Sequence, residues 1–277
     1  MADVQLVTTK LGIARLEDET FALLDTPFPH IGAVIEQTGS IKTLASCRVR
    51  GRTRPADAEL LPPLGRPRAI WGVGLNYLSK ARLTGRAVPT EPILYLGAPS
   101  AVAGPGAVVT VPALRTREPD YEGEIAVVVG RRLYQAEPEA VWPAVAAVTA
   151  ANDMTARDVM RATQAPTLAK SFPGFNPLGA SVSDPEDLPD RDRIRVRTWV
   201  NGELTQDDTS DGMIFPIPEL LARLSWFAAL EPGDVVLTGT PAGTGQDRGS
   251  FLADGDEIRV EIDSVLPLTT VVAAPAG

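Results

Sequence analysis

The run Ile125-Ala126-Val127-Val128-Val129, entered through Asp120-Tyr121-Glu122-Gly123-Glu124, constrains this chain most tightly. It is short, apolar and β-branched, which predicts a buried strand. Side chains on a strand alternate, so Glu122 and Glu124 project from the same face. Two carboxylates on one face repel each other unless they are solvated or something positive stands between them. The plain reading is a solvated pair on an exposed strand. The sharper one is a site for a hard divalent ion, with Asp153 as third donor. Oxygen-only ligands suit Mg²⁺, Mn²⁺ or Ca²⁺ rather than zinc.

The rest of the composition narrows the function classes. A chain of 277 residues suits one large domain, or one with a small appendage. Its 26 basic residues against 35 acidic ones give a net charge of −9, with no basic stripe, which argues against nucleic acid and anionic membranes as partners. An anionic small-molecule substrate therefore needs a metal, or local Arg and Lys residues. The one cysteine, Cys47, excludes an intramolecular disulfide or a cysteine metal cluster and reads as a small buried apolar residue. The one histidine, His30, sits in a proline-punctuated loop, 17 residues from Cys47, and no Gly-x-Ser-x-Gly turn exists, so nucleophilic triads are disfavoured. With no signal-peptide pattern at the start and no membrane-length apolar run, a cytoplasmic protein is expected.

Residues 1 to about 60 read as short strands and turns, and Pro62-Pro63-Leu64-Gly65-Arg66-Pro67 as a linker. This divides the chain into a small N-terminal domain, 1–66, and a larger domain, 67–277. In the second part Ala69 to Leu75, Pro92 to Leu96 and Ala107 to Val111 predict strands, and Asn76 to Arg86 a short helix. Pro138 to Ala151 has helical spacing, although Pro143 argues against one clean helix. Arg195 to Val200 followed by Asn201-Gly202 signals a hairpin. Ile217 to Ala229 is the strongest helix, opened by Pro218, with Leu220, Leu221, Leu224 and Phe227 as its apolar stripe. Two further strands, Glu257 to Ile262 and Leu268 to Val272, close the chain. Many short strands and few helices give an α+β, β-rich fold rather than a doubly wound sheet.

Three more segments carry chemistry. In Asn152-Asp153-Met154-Thr155-Ala156-Arg157-Asp158, a helical turn would bring Arg157 to the side of Asp153, either as a plain ion pair or as a clamp for a substrate carboxylate. Lys170 lies in an apolar, Pro- and Gly-rich stretch, where it either snorkels to water or faces an anion such as a developing enolate. Thr238-Gly239-Thr240-Pro241-Ala242-Gly243 follows a buried-looking strand, and its glycines, Gly239 among them, let backbone N–H groups approach a ligand oxygen. It lacks the lysine of a phosphate-binding loop.

Taken together, these segments resemble the fumarylacetoacetate hydrolase superfamily. The matching pieces are the Asp-Tyr-Glu-x-Glu strand, the Asn-Asp-x-Thr-Ala-Arg-Asp segment, and the Lys-x-Phe-x-x-Phe-x-Pro-x-Gly run from Lys170 to Gly179. The match continues from Val200 through Gln206, Met213-Ile214-Phe215 and Leu230-x-Pro232-Gly233-Asp234 to Gly243. The motifs stand in register over about residues 69 to 272. The resemblance implies a mixed β-sandwich roll, a small N-terminal domain and a homodimer. It implies Glu122, Glu124 and Asp153 as ligands of Mg²⁺ or a similar ion, Lys170 and Thr240 beside the substrate, and Arg157, Tyr77 and Gly239 as substrate contacts.

The departures bear on the reaction. After Gly74-Leu75-Asn76-Tyr77, similar hydrolases continue with a water-activating histidine and glutamate; here Lys80 and Leu83 stand at those positions. Gly97 stands where relatives often carry lysine, and Met160 where glutamine is common. The metal half of the site is kept and the water-activating half is missing. Lys80 is then the candidate acid/base group. The expected activity is decarboxylation or tautomerisation/isomerisation of an oxo-acid or β-dicarbonyl metabolite through a metal-stabilised enolate. The alternatives are hydrolysis of a C–C bond and a catalytically silent, ligand-binding relative.

Overall fold

The computed structural model describes residues 4–274. Its centre is the predicted strand, which runs Gly123–Val129 and is buried along its whole length. It pairs on one side with Val145–Asn152 and on the other with Val235–Leu237, both antiparallel. These belong to a large mixed sheet of eleven strands. Its main path runs Val49–Thr53, Thr20–Leu24, Gly12–Glu17, Gln5–Thr9, Val182–Ser183, Val145–Asn152, Gly123–Val129, Val235–Leu237, Ile70–Gly74, Ile93–Gly97. A second sheet, Glu203–Thr209, Arg195–Val200, Glu257–Ile262, Leu268–Ala273, Ala107–Thr110, packs across it.

Alternation on the central strand separates two cores. Ile125, Val127 and Val129 pack with Ile258, Val260 and Leu268 of the second sheet. Ala126 and Val128, on the opposite face, pack with Leu6, Ile13 and helix residues Ile31, Val34 and Ile35. Both faces of the strand are therefore covered, which explains a run with no polar side chain after Glu124. The outcome is the expected β-rich α+β fold.

Several local expectations are corrected. The first 60 residues also hold a helix, Ile31–Thr38, capped by His30, whose Nδ1 accepts from Ala33 N, and closed by Gly39 in the left-handed region. Pro62 to Pro67 is not a free tether: Leu64 is buried, and Pro63 O accepts from Thr8 Oγ1 and Ile31 N. The helical spacing of Pro138 to Ala151 gives only a turn at Val141–Ala144 and then the strand Val145–Asn152. Alanines suit that strand because backbones crowd it: a Cβ on Gly130 would stand 2.7 Å from Ala146 Cβ. Cys47 is only partly buried. The helix Ile217–Phe227 buries Leu220, Leu221 and Leu224, while Phe227 at its end is 73% exposed. The Asn201-Gly202 hairpin forms as expected, with both residues at positive φ. Among the described residues no helix is long and apolar enough to cross a membrane.

Candidate metal and active site

Glu122 and Glu124 do share a face, and Glu122 sits one residue ahead of the strand proper. Asp153 arrives from the end of the neighbouring strand, and its backbone N–H donates to Glu122 O at 2.8 Å. One oxygen from each of the three carboxylates lies within 4.8 Å of the others, and all three side chains are buried. The glycine between the glutamates is dictated by the second sheet. A Cβ there would stand 1.9 Å from Thr198 Oγ1, and Gly123 N donates to Gln206 Oε1 at 3.0 Å.

Lys170 ends the short helix Pro166–Lys170 and is 4% exposed, which rules out snorkelling. Its Nζ donates to Glu122 Oε2 and Asp153 Oδ2, each at 2.5 Å, and to Thr155 Oγ1 at 2.7 Å. Burial works against its ammonium, but Asp153 and Glu122 outweigh burial and raise its pKa above the usual lysine value. Arg157 opens the next helix, Arg157–Thr163, rather than sharing a turn with Asp153. The pair expected between them is replaced by bonds from Nε to Asp120 Oδ2 (2.7 Å) and from Nη2 to Glu122 Oε1 (2.5 Å).

The three acids differ electrostatically. Burial favours the neutral form of Glu122, yet Lys170 and Arg157 prevail and hold it at about 2. Burial raises Glu124 well above the usual carboxylate range, and Asp153 and Glu122 add to this; its bond from Gly239 N (2.7 Å) only partly opposes them. Asp153 is raised by burial despite Lys170. In all, four buried carboxylates (Asp120, Glu122, Glu124, Asp153) face two buried cations (Arg157, Lys170). With all four ionised the deficit is two positive charges, that of one divalent ion, and the raised pKa of Glu124 keeps that carboxyl neutral until a cation sits beside it. The donor set and the charge both fit such an ion.

The remaining expected residues are placed around this centre. Gly239 reaches Glu124 through its N–H, at a φ of 94° where a Cβ would also meet Asn76. Thr240 Oγ1 donates to Gly123 O and accepts from Gln206 Nε2, so its hydroxyl braces the glutamate strand. Tyr77 is fully buried, and its hydroxyl has no hydrogen-bond partner among the described residues. Lys80, on the helix Leu78–Thr84, donates to Asp247 Oδ2 (2.6 Å) and Thr244 Oγ1 (2.7 Å) and is not in hydrogen-bonding contact with the triad.

Several further residues, absent from the candidates above, carry the site. Tyr95 donates its hydroxyl to Asp153 Oδ2, with Lys170 Nζ 5.3 Å from its ring centre. Asn176 Nδ2 donates to Asp153 Oδ1 at 2.8 Å, and Asn152 Oδ1 accepts from Glu122 N at 3.1 Å. Asp120 anchors Arg157, and Asp247 anchors Lys80. Asp120, Asn152 and Asn176 lie inside the motif strings, which was the available signal; Tyr95 and Asp247 had none.

Comparison with known proteins agrees with this architecture. Residues 69–273 match the family described as fumarylacetoacetate (FAA) hydrolase, C-terminal. Bos taurus oxaloacetate tautomerase FAHD2B, a mitochondrial protein, is 36% identical over 214 residues, covering 76% of this chain and 68% of its own. Bacillus subtilis oxaloacetate tautomerase YisK is 34% identical over 222 residues, 78% of this chain and 74% of its own. Among solved structures, a fumarylacetoacetate hydrolase from Exiguobacterium antarcticum superposes with a TM-score of 0.86 at 30% identity, over 98% of this chain and all of the other. The 2-hydroxyhepta-2,4-diene-1,7-dioate isomerase of Mycobacterium marinum gives 0.80 at 25% identity, over the full length of both chains. The chain belongs to the fumarylacetoacetate hydrolase family.

Proposed function

We propose that this enzyme interconverts keto and enol forms of a small 2-oxo dicarboxylate of the oxaloacetate type, on a divalent cation held by Glu122, Glu124 and Asp153. The observation that carries the reading is the buried two-charge deficit around those three oxygens. Relatives named as tautomerases and isomerases support the reaction class. When bound, the cation would polarise a substrate carbonyl and acidify the adjacent C–H.

The chain's own residues supply the rest. Lys170 fixes Glu122 and Asp153 and adds positive charge where an enolate develops. Tyr95 and Asn176 hold Asp153 so that its orientation does not change with the substrate's charge. In the enol-to-keto direction Lys80, an ammonium paired with Asp247, gives a proton to the enol carbon while the enol oxygen releases its proton to water; in the reverse direction the amine so formed takes the proton from that carbon and water protonates the oxygen. Tautomerisation needs no activated water, which agrees with lysine and leucine at positions 80 and 83.

The test is to incubate the enzyme with Mg²⁺ and a panel of 2-oxo acids, following enol absorbance, CO₂ and carbon fragments. Accelerated keto–enol equilibration of a 2-oxo dicarboxylate, without added CO₂, supports the reading. Release of CO₂ would reassign the enzyme as a decarboxylase, and appearance of two carbon fragments as a hydrolase.

A further inference from the structure

We propose that Asp247 is the positioning residue for Lys80, and that this pair latches the helix Leu78–Thr84 against the site. The inference rests on Lys80 as the proton carrier of the proposed reaction. The helix has little else to hold it. Ala81 is its only buried side chain, Leu83 is 60% exposed, and residues 82–88 are exposed throughout. Apolar burial therefore adds little to its docking.

Polar contacts from two adjacent residues of the first turn do the holding. Ser79 Oγ donates to Asp208 Oδ2 at 2.6 Å, and Lys80 Nζ donates to Asp247 Oδ2 at 2.6 Å and to Thr244 Oγ1 at 2.7 Å. Asp247 is itself immobile. Its side chain is 2% exposed, and the oxygen facing Lys80 also accepts from Gly243 N (2.9 Å) and Thr244 N (3.1 Å). An ammonium has three N–H bonds. Two are spent on fixed acceptors, so the direction of the third is set by Asp247 and Thr244.

The latch is also wired to the metal triad. The backbone N–H groups of Gly245 and Gln246, beside Asp247, donate to Asp120 at 2.6 and 3.1 Å. Asp120 holds Arg157, and Arg157 holds Glu122. Lys80 and Glu122 are thus joined through hydrogen bonds and the short backbone segment 245–247, which ties the latch to the carboxylate cluster.

The experiment compares Asp247→Asn, Asp247→Glu, Lys80→Met and the Asp247→Asn/Lys80→Met double variant with wild type. It reads kcat and KM for tautomerisation, and amide hydrogen exchange of residues 76–86 by mass spectrometry. Misplacing a proton donor is expected to lower kcat in Asp247→Asn by about ten-fold or more with KM little changed. Asp247→Glu recovers part of that loss, and the double variant is no slower than Lys80→Met alone. Amide exchange in 78–84 rises in Asp247→Asn and Lys80→Met alike. Unchanged kcat and exchange in Asp247→Asn would overturn the proposal, as would losses that multiply in the double variant. If wild type turns over no oxo acid, the proposed function fails by itself, and the exchange data alone decide the latch.

Discussion

Replacing Lys170 by methionine removes one charge from the centre of the site and keeps most of the side chain's volume. The lysine is buried and stands 2.5 Å from an oxygen of both Glu122 and Asp153. Deleting one partner of a buried ion pair costs about 3–5 kcal/mol, because the other charges stay buried without compensation. The depressed pKa of Glu122, which Lys170 lowers first and Arg157 and Lys80 lower further, sets an upper bound on the part that goes with Lys170. It is held at about 2 against an ordinary 4.5, which at about 1.36 kcal/mol per pKa unit is roughly 3 kcal/mol. The pH dependence has a definite sign. A carboxylate whose folded value is depressed contributes stability above its unfolded value and loses it as pH falls through the folded one. The gap between wild type and Lys170→Met is therefore widest above pH 4.5 and narrows between there and about 2. Urea unfolding in a chelator, at neutral pH and near pH 3.5, measures both. A loss below about 1 kcal/mol, the size of an exposed pair, or a gap independent of pH would refute the reasoning.

Gly123→Ala drives a Cβ to 1.9 Å from Thr198 Oγ1, so a loss of about 1–3 kcal/mol is expected in thermal or urea unfolding, with weaker divalent binding because the two glutamates move apart. Gly72→Ala places a Cβ 2.1 Å from Tyr95 Cζ. The ring must leave Asp153, and calorimetric titration should show reduced affinity for Mg²⁺ with the fold retained by circular dichroism. Gly202→Ala is the control: its φ is +82 with open space around it, so roughly 1 kcal/mol of stability is lost, while kcat and KM stay at wild-type values.

What the sequence made legible follows the range of the interactions. Period-two alternation alone put Glu122 and Glu124 on one face, and an Asn-Gly pair was enough for the hairpin, since both depend on neighbours in the chain. The strand Val145–Asn152 differs from its helical spacing because its alanines favour helix locally, and only packing on both faces selects the strand. Arg157 departs from its local spacing for a similar reason: its partners are 37 and 35 residues away, beyond any helical turn. Tyr95 reaches Asp153 across 58 residues and Lys80 reaches Asp247 across 167. Such contacts leave no local period to read. Family resemblance filled part of this gap for the ligands but not for Asp247, since its partner Lys80 is itself a departure from the family pattern.

The proposed function depends on the three buried carboxylates binding a divalent cation. Titrating chelator-treated wild type and Glu124→Gln with Mn²⁺, and counting free ion by electron paramagnetic resonance, tests this directly. One tight site per chain in wild type, lost in Glu124→Gln and displaced by Mg²⁺, is the expected result; equal binding by both proteins, or none by wild type, would contradict it.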